Sequence, residues 1–403
     1  MNLKLFLVLF LFAVLMNGCQ KKQNLVENNF TFADSQLKYA LQETEAVREK
    51  VGGKLSNPRT IDSKGNLKLV APGDWTSGFF PGELWYMYEY TGDEFWKQKA
   101  KEYTEVLEGQ KNNGRTHDMG FKMYCSYGNG LRIAPTDEYK EVLMTSARTL
   151  ATRFREKTGC LRSWDHSRDK WAYPVIIDNM MNLELLFWAF RESGDSLFYN
   201  IAVSHALTTM KNHFREDYSS YHVVNYDTLT GEVLDRHTHQ GYAHSSAWSR
   251  GQAWGLYGYT MCFRETGDTV FLKQARHIAD FIFHHPNLPQ DLIPYWDFNA
   301  PDIPDEPRDV SAATVTASAL YELCTLDHAH RTEYKALADK MIENLTRNYR
   351  AEAGKDKGFL LLHSTGSKPH NSEVDVPLAY ADYYFLEALL RKRALENAGE
   401  VKN

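Results

Sequence analysis

The chain has 403 residues, of which 43% are hydrophobic and 24% charged, so it contains enough apolar material for a folded core. With 25 Gly and 13 Pro and no low-complexity stretch, it is neither disordered nor collagen-like. The 46 Lys and Arg residues stand against 52 Asp and Glu residues, a net charge of -6 without any long basic run. This charge pattern argues against a nucleic-acid partner.

The first 18 residues are predicted to be a lipoprotein signal peptide. Lys4 is followed by an apolar stretch over residues 5–16, which is too short to span a bilayer permanently. The stretch leads to Cys19 in a context that resembles a bacterial lipoprotein signal, in which the cysteine is acylated. We therefore expect an exported protein of a Gram-negative bacterium, anchored by lipid at Cys19 in the periplasm or at the outer membrane. Release into the periplasm is the alternative, and residues 19–33 are expected to form a short tether.

The remaining cysteines are Cys125, Cys160, Cys262 and Cys324. They are far apart and show neither a CxxC pattern nor the Cys/His spacing of a zinc site. Two of them lie on apolar stretches predicted to be helical, where a small buried thiol is the ordinary interpretation. We predict four free, buried thiols.

One local pattern recurs along the chain: an aromatic-rich helix, a tight turn and an amphipathic helix. In the three close copies a Gly ends the first helix and an Asp begins the second, because Gly accepts the left-handed C-cap conformation and Asp accepts hydrogen bonds from free helix N–H groups. These turns are Gly92-Asp93, Gly194-Asp195 and Gly267-Asp268. Looser copies over residues 133–154 and 322–345, with helices over 35–51 and 378–395, bring the total to about twelve helices.

Strand-like alternation is confined to short pieces such as residues 221–226 and 358–363. The fold class is therefore predicted to be all-α, as one toroid of helical hairpins over residues 34–398. Such a toroid buries the apolar face of each hairpin against its neighbours. The loops at the ends of the inner helices would gather at one mouth, where a site can form.

Two aspartates are candidates for catalysis. Asp178 lies between apolar residues, so its carboxyl group is expected to have a raised pKa and to suit proton donation; the alternative is an N-cap for a helix over 180–190. Asp118 follows His117 and precedes Met-Gly-Phe, where either a turn residue or a catalyst would fit. Two carboxyl groups in aromatic surroundings are typical of the active sites of glycoside-cleaving enzymes.

Metal and serine chemistry are both weakly supported. His222, His237 and His239 lack the helical i, i+4 spacing of known zinc pairs, and no nearby Cys or Glu completes a ligand set. No GxSxG motif is present. We expect no metal and no cofactor.

Six motifs follow one another along the chain: HDMGF at 117–121, IDNMMN at 177–182, HQG at 239–241, WSRGQAW at 248–254, RDVSAA at 308–313 and DYYFLE at 382–387. Taken together and in this order, they resemble the unsaturated glucuronyl hydrolases of glycoside hydrolase family 88. The resemblance covers roughly residues 36–391. It implies an (α/α)6 barrel as a single catalytic domain, and a monomer is expected.

The resemblance also implies a reaction. Such enzymes remove the 4,5-unsaturated uronic acid that lyases leave at the non-reducing end of glycosaminoglycan fragments. A proton is given to C4, water adds at C5, and the hemiketal opens to release the remaining sugar. The alternatives are an unsaturated rhamnogalacturonyl hydrolase of the sister family, a hydrolase of saturated sugars and a lipoprotein that binds glycans without turnover.

The roles carried over by resemblance are those of general acid and base for Asp178 and of second essential aspartate for Asp118. Arg250 would pair with the planar carboxylate of the uronate through two hydrogen bonds, and Trp254 would offer a stacking face or else fill the core. Lys368 would contact a sulfate group unless its loop is merely a solvated turn. The full predicted set of substrate-binding residues is Trp75, His117, His222, Thr238, Gln240, Arg250, Trp254, Ser364, Ser367 and Lys368.

Overall fold

The computed structural model describes residues 24–53 and 56–400. Its α-helices are α1 (Leu25–Val51), α2 (Phe79–Thr91), α3 (Glu94–Glu105), α4 (Asn129–Ile133), α5 (Asp137–Ala151), α6 (Leu183–Ser193), α7 (Ser196–His213), α8 (Ser249–Thr266), α9 (Thr269–His284), α10 (Val310–Leu326), α11 (Arg331–Asn344) and α12 (Ala379–Glu400). A π-helix, Gly120–Gly128, continues directly into α4.

The strands are short and antiparallel. They are β1 (Asn57–Ile61), β2 (Leu67–Val70), β3 (Phe154–Arg155), β4 (Cys160–Leu161), β5 (Pro174–Ile176), β6 (Val223–Tyr226), β7 (Val233–His237), β8 (Ser364–Ser367) and β9 (Ser372–Val376). Strands β5, β6 and β7 form one three-stranded sheet, and the others pair in sequence order as hairpins.

Six inner helical segments form a closed ring. In order around the ring they are α2, the π-helix with α4, α6, α8, α10 and α12, and α12 contacts α2 again. The other six helices lie outside this ring, each packed on an inner neighbour. The hydrophobic core fills the space between the two layers. This arrangement confirms the toroid of helical hairpins predicted from the repeated pattern, and with six hairpins it is the (α/α)6 barrel that the resemblance implied.

The three Gly-Asp turns have the predicted geometry. Gly92, Gly194 and Gly267 adopt φ values of 68°, 71° and 70° at the ends of α2, α6 and α8. The Asp that follows each of them accepts a hydrogen bond from the backbone N–H two residues later, at 2.9 to 3.0 Å. The helical hairpins are therefore set by local sequence.

Two boundaries were predicted wrongly. Residues 25–33 of the tether expected over 19–33 are helical, because α1 begins at Leu25 and buries Val26 and Phe30 in the core. The Phe30 ring stacks on Tyr90 with centroids 3.8 Å apart. Residues 358–363 form no strand and contribute only an isolated bridge at Leu361.

The predicted signal peptide and Cys19 lie outside the described residues. Within residues 24–53 and 56–400, no helix is both long and apolar enough to cross a membrane. Cys125, Cys160, Cys262 and Cys324 are free and buried, as predicted.

Two buried histidines fasten the outer helix α7 to the strands that lead to Asp178. The backbone N–H of Leu161 donates to His205 Nδ1 at 3.0 Å, and His213 Nε2 donates to the carbonyl of Val175 at 3.1 Å. Burial lowers the pKa of His205 to about 3 and that of His213 to about 4. Both imidazoles are therefore neutral in the folded protein at neutral pH.

This burial predicts a loss of stability in mild acid. Below pH 6.5 the unfolded chain takes up protons on His205 and His213 that the folded protein cannot bind until about pH 4. Each histidine should lower the free energy of unfolding by about 2 kcal/mol between pH 7 and pH 5. Urea unfolding at several pH values measures this slope. His205→Gln should reduce the dependence of the free energy of unfolding on pH, and the exposed control His328→Gln should leave it unchanged. Equal slopes in the two variants would contradict the role of the buried histidine.

Candidate active site

The inner helices begin at the same mouth of the barrel, and a cavity of about 320 Å³ lies there. It is lined by Arg59, Trp75, His117, Asp118, Phe121, Trp164, His166, Ile176, Asp178, His239, Gln240, Arg250, Gly366, Ser367, His370, Ser372, Glu373 and Tyr380. Seven of the twelve predicted catalytic and substrate-binding residues are among them. Helix N-termini carry a partial positive charge, so their convergence favours a negatively charged ligand.

Asp178 is positioned by pairing between β5 and β6. Ile176 pairs with Val223, and the N–H of Ile177 donates to the carbonyl of His222 at 3.0 Å. Asp178 then opens a 3-10 turn, so that its carboxyl group faces the cavity and does not cap a helix. Burial raises its pKa to about 7, the Arg250 guanidinium opposes this rise, and the carboxylate of Asp118 adds to it.

His222 lies beside Asp178 and has a defined tautomer. Its Nδ1 accepts hydrogen bonds from the backbone N–H groups of His239 and Gln240, both at 3.1 Å. Burial holds its pKa well below the usual range, so the ring is neutral and the hydrogen resides on Nε2. Nε2 is 3.7 Å from Asp178 Oδ2. This distance is too long for a hydrogen bond, so His222 lies beside the Asp178 carboxyl group without bonding to it, and it is not among the residues that line the cavity.

Asp118 is held by one donor from its own loop and lies beside a histidine. The Thr116 hydroxyl donates to Asp118 Oδ2 at 2.7 Å, and His117 Nε2 lies 3.2 Å from Oδ1. Burial lowers the pKa of His117, so its imidazole is neutral at neutral pH. Asn182 joins this loop to the turn that carries Asp178, since its Oδ1 accepts the N–H of Gly120 at 2.8 Å. The two carboxyl groups thus belong to one connected unit.

Arg250 reaches the cavity but is not the free binding fork predicted from sequence. Its Nη1 donates to Asp309 Oδ2 at 2.7 Å and to the carbonyl of Thr365 at 2.6 Å, while Nη2 donates to the carbonyl of Gly366 at 2.6 Å. The Gln240 amide donates to the same Gly366 carbonyl at 3.1 Å. Arg250 and Gln240 therefore hold the β8–β9 hairpin against the site, and Asp309 neutralises the guanidinium.

Trp254, Thr238 and Ser364 were also predicted to bind substrate, and they do not line the cavity. Trp254 is fully buried against Phe121, with ring centroids 5.2 Å apart, so the core-filling alternative describes its packing. Thr238 caps its own loop by accepting the N–H of Gly241 at 2.8 Å. Ser364 is buried behind the cavity wall.

Lys368 is not among the residues that line the cavity, and its contact with a sulfate group stays a prediction. Its ammonium group forms an ion pair with Glu306 and lies over the Trp296 ring, 5.3 Å from the centroid. The charge of Lys368 is therefore already paired in the structure. Ser367 of the same loop does line the cavity, and it is hydrogen bonded to His370 Nδ1 at 2.7 Å.

Several cavity residues were missed from sequence. Arg59 lies 5.8 Å from the centroid of the Trp75 ring and donates to Glu373 Oε1 at 2.6 Å. Trp164 packs on His239 with centroids 5.1 Å apart. Phe121 and His239 also line the cavity and lie inside the HDMGF and HQG motifs, so a signal for them was present. Tyr380 lies two residues before the DYYFLE motif. Arg59 and Trp164 lie in segments without a recognisable motif.

The three histidines considered for a metal have other contacts. His222 faces Asp178, and His237 Nε2 pairs with Asp235 at 2.5 Å. His239 packs against His370, with centroids 4.5 Å apart. Within the described part of the chain, no cluster of three His, Cys, Asp or Glu side chains is placed to hold a metal ion.

An (α/α)6 barrel with two carboxyl groups in an aromatic cavity, one of them poised to be protonated near neutral pH, defines a glycoside hydrolase. The unsaturated glucuronyl hydrolase of Formosa agariphila is 50% identical over 341 residues, which are 84% of this chain and 85% of that protein. The unsaturated chondroitin disaccharide hydrolase of Streptococcus pneumoniae is 34% identical over 83% of this chain and 85% of its own length.

A solved unsaturated glucuronyl hydrolase specific for heparin superposes with a TM-score of 0.88 at 46% identity, covering 93% of this chain and 98% of that one. No family model matches the chain. On the strength of its relatives, the chain belongs to the unsaturated glucuronyl hydrolase family.

Proposed function

We propose that this enzyme removes the 4,5-unsaturated uronic acid from the non-reducing end of glycosaminoglycan oligosaccharides by hydrating the C4=C5 double bond. The observation that carries the proposal is the Asp178 carboxyl group, which faces the cavity with a pKa of about 7 beside Asp118. A group with this pKa can donate a proton and recover it at neutral pH.

The proposed steps follow from the positions of these groups. Asp178 donates its proton to C4, and positive charge develops at C5, shared with the ring oxygen. The resulting carboxylate then accepts a proton from the water that adds at C5, and the hemiketal opens to release the remaining sugar. His222 Nε2 lies 3.7 Å from Asp178 Oδ2, so we propose that a small approach of the two side chains would let it donate to the newly formed carboxylate.

Charge complementarity supports an acidic sugar. Inner helices begin next to this cavity, and the partial positive charge at a helix N-terminus favours an anionic ligand. Trp75 and Trp164 supply aromatic faces of the kind on which sugar rings stack. A glycan-binding protein without turnover would gain nothing from placing two carboxyl groups beside an anionic uronate.

Heparin-derived disaccharides are the proposed preferred substrates. The solved relative described as heparin-specific is 46% identical to this chain, whereas the Streptococcus pneumoniae relative named for chondroitin disaccharides is 34% identical. Loss of the ultraviolet absorbance of the unsaturated uronate should be recorded with heparin, chondroitin and hyaluronan disaccharides. Fastest loss on the heparin substrate is expected. Unchanged absorbance on every substrate, with reducing sugar released from saturated ones, would overturn the proposal.

Export and lipid anchoring are a separate part of the proposal. It rests on Lys4, the apolar stretch that follows it and Cys19. In a Gram-negative host, the wild-type chain should incorporate labelled palmitate and fractionate with membranes. The lipid on Cys19 would be its attachment to the membrane. Cys19→Ser should abolish both, and unchanged labelling would rule out Cys19. The released domain is proposed to be a monomer, which light scattering would test.

A further inference from the structure

One buried asparagine beside the catalytic turn does not serve its own helix. Asn182 lies at the end of the 3-10 turn that contains Asp178, and it is the N-cap residue of α6. An asparagine at this position ordinarily accepts a hydrogen bond from an N–H group of its own helix. The Asn182 side chain forms no such bond, and the residue is fully buried. Capping of α6 therefore does not explain an asparagine at this position.

The Asn182 side chain instead caps a helix from a distant part of the chain. Its Oδ1 accepts hydrogen bonds from the backbone N–H groups of Gly120 and Phe121, at 2.8 and 3.2 Å, across 62 and 61 residues. These N–H groups lie in the first turn of the π-helix, where a helix supplies no acceptor of its own. Met119, the N-cap residue of the π-helix, forms no side-chain bond to them. One amide oxygen from another segment thus satisfies both groups.

The backbone of Asp118 is bonded to the start of the same π-helix. The Lys122 N–H donates to the Asp118 carbonyl at 3.0 Å, so a shift of the helix start would carry Asp118 with it. The two segments also touch directly, because a Cβ atom on Gly120 would lie only 2.7 Å from the Asn182 Cα. This contact and the two hydrogen bonds together fix Asp118 relative to the turn that carries Asp178.

We propose that Asn182 is a positioning residue for the reaction: its side-chain oxygen sets the place of Asp118 relative to Asp178 by holding the start of the π-helix. Both carboxyl groups line the cavity, so a single sugar ring bound there has to match their separation. A displacement of about 1 Å at such a group can lower turnover about 10²-fold. This inference rests on the proposed function, because it assigns both carboxyl groups to one reaction.

The test compares two substitutions of Asn182 that nearly retain its size. Its Nδ2 group has no hydrogen-bond partner among the residues that the structure describes, so only the oxygen of the amide is in use. Asn182→Asp keeps an acceptor oxygen in that place, whether ionised or protonated, and should retain most of the wild-type kcat. Asn182→Leu has no acceptor. It should lower kcat on an unsaturated disaccharide about 10²-fold and leave KM nearly unchanged, since the other residues of the cavity wall stay in place.

The matched control is Asn29→Leu, which replaces another fully buried asparagine, on the outer helix α1. Asn29 Nδ2 donates to the Leu25 carbonyl and to the Thr346 hydroxyl, both at 2.9 Å, so this variant also breaks hydrogen bonds in the interior. Its thermal midpoint should fall as that of Asn182→Leu does, while its kcat stays at the wild-type value. An equal fall of kcat in Asn29→Leu and Asn182→Leu would overturn the role of Asn182, and so would an equal fall in Asn182→Asp and Asn182→Leu.

The double variant Asp118→Asn with Asn182→Leu supplies a second readout. If Asn182 acts through Asp118, losing its oxygen should cost little further turnover once the carboxylate is gone, because residues that act as a unit have non-additive effects. Two losses that multiply would overturn the role of Asn182, as would a normal kcat in folded Asn182→Leu. A wild-type protein that leaves every unsaturated disaccharide intact would instead overturn the proposed function.

Discussion

Asp178→Asn is expected to lower kcat on an unsaturated glucuronyl disaccharide by about 10²- to 10⁴-fold. The amide retains the shape of the carboxyl group and can still form hydrogen bonds, but it cannot deliver a proton to C4. Because the carboxyl group is protonated over much of the neutral range, with a pKa of about 7, its replacement by a neutral amide should leave the fold intact. Absorbance loss measures turnover, and thermal unfolding checks the fold.

Asp375→Asn is the matched control, since Asp375 lies on β9 near the mouth with its side chain 56% exposed. It should retain full turnover. The pH profile supplies an independent check: a general acid must be protonated, so kcat/KM of the wild type should fall tenfold per pH unit above about pH 7. Near-normal kcat in a folded Asp178→Asn variant would remove Asp178 from the role of proton donor.

Arg250→Ala is expected to lower both stability and activity. Arg250 and Asp309 are a buried ion pair at 2.7 Å, with both side chains almost inaccessible to water. Removing the guanidinium leaves Asp309 as an uncompensated buried charge, which costs about 3–5 kcal/mol. The hairpin also loses the donors to Thr365 and Gly366, so kcat and KM should both worsen. Urea unfolding and steady-state kinetics provide these measurements.

The double variant Arg250→Met with Asp309→Asn tests the cause of that loss. It removes both charges, and the amide can still cap α10 by accepting the N–H of Ser311, as Asp309 does at 3.1 Å. Stability should largely return while activity stays low. If the free energy of unfolding of Arg250→Ala lies within about 1 kcal/mol of the wild-type value, the ion pair stabilises the fold no more than an exposed pair does. That result would contradict a stabilising role for the buried pair.

The barrel could be predicted from sequence because its units are local. A Gly-Asp turn such as Gly194-Asp195 needs only a left-handed C-cap and a side-chain acceptor, and both are readable in two consecutive residues. The first helix shows the limit of such reading. Val26, Phe30 and Ala33 follow the i, i+4, i+7 spacing of an apolar helix face, but the polar residues between them suggested a tether.

Asp118 and Asp178 could be placed at the site from sequence, because each lies in a motif with unusual local chemistry, and both line the cavity. The partners of Arg250 and Lys368 could not be predicted, since a side chain's partner depends on distant segments. Arg250 is bonded to residues 59, 115 and 116 positions further along the chain. Lys368 pairs with Glu306 across a separation of 62 residues. Sequence identifies the charge in each case, and only the fold shows what neutralises it.

Arg59 and Glu373 show the same limit for cavity residues that no sequence motif identified. Each lies in a short strand of ordinary composition, and they meet across 314 residues at the cavity wall. Glu373 adopts φ +57°, a left-handed conformation that no pattern in the sequence indicates. The Glu373 side chain packs closely on Gly366. A Cβ atom on that glycine would lie only 2.8 Å from the Glu373 Cβ.

The most direct test of hydration at C4=C5 is a proton NMR time course of the reaction in D₂O. The account predicts that the vinyl H4 signal disappears in step with release of the remaining sugar, and that one deuterium is delivered to a single face of C4. Attack at the anomeric carbon would instead release an unsaturated uronic acid that still carries its vinyl proton. Early release of that intact unsaturated sugar would contradict the central claim.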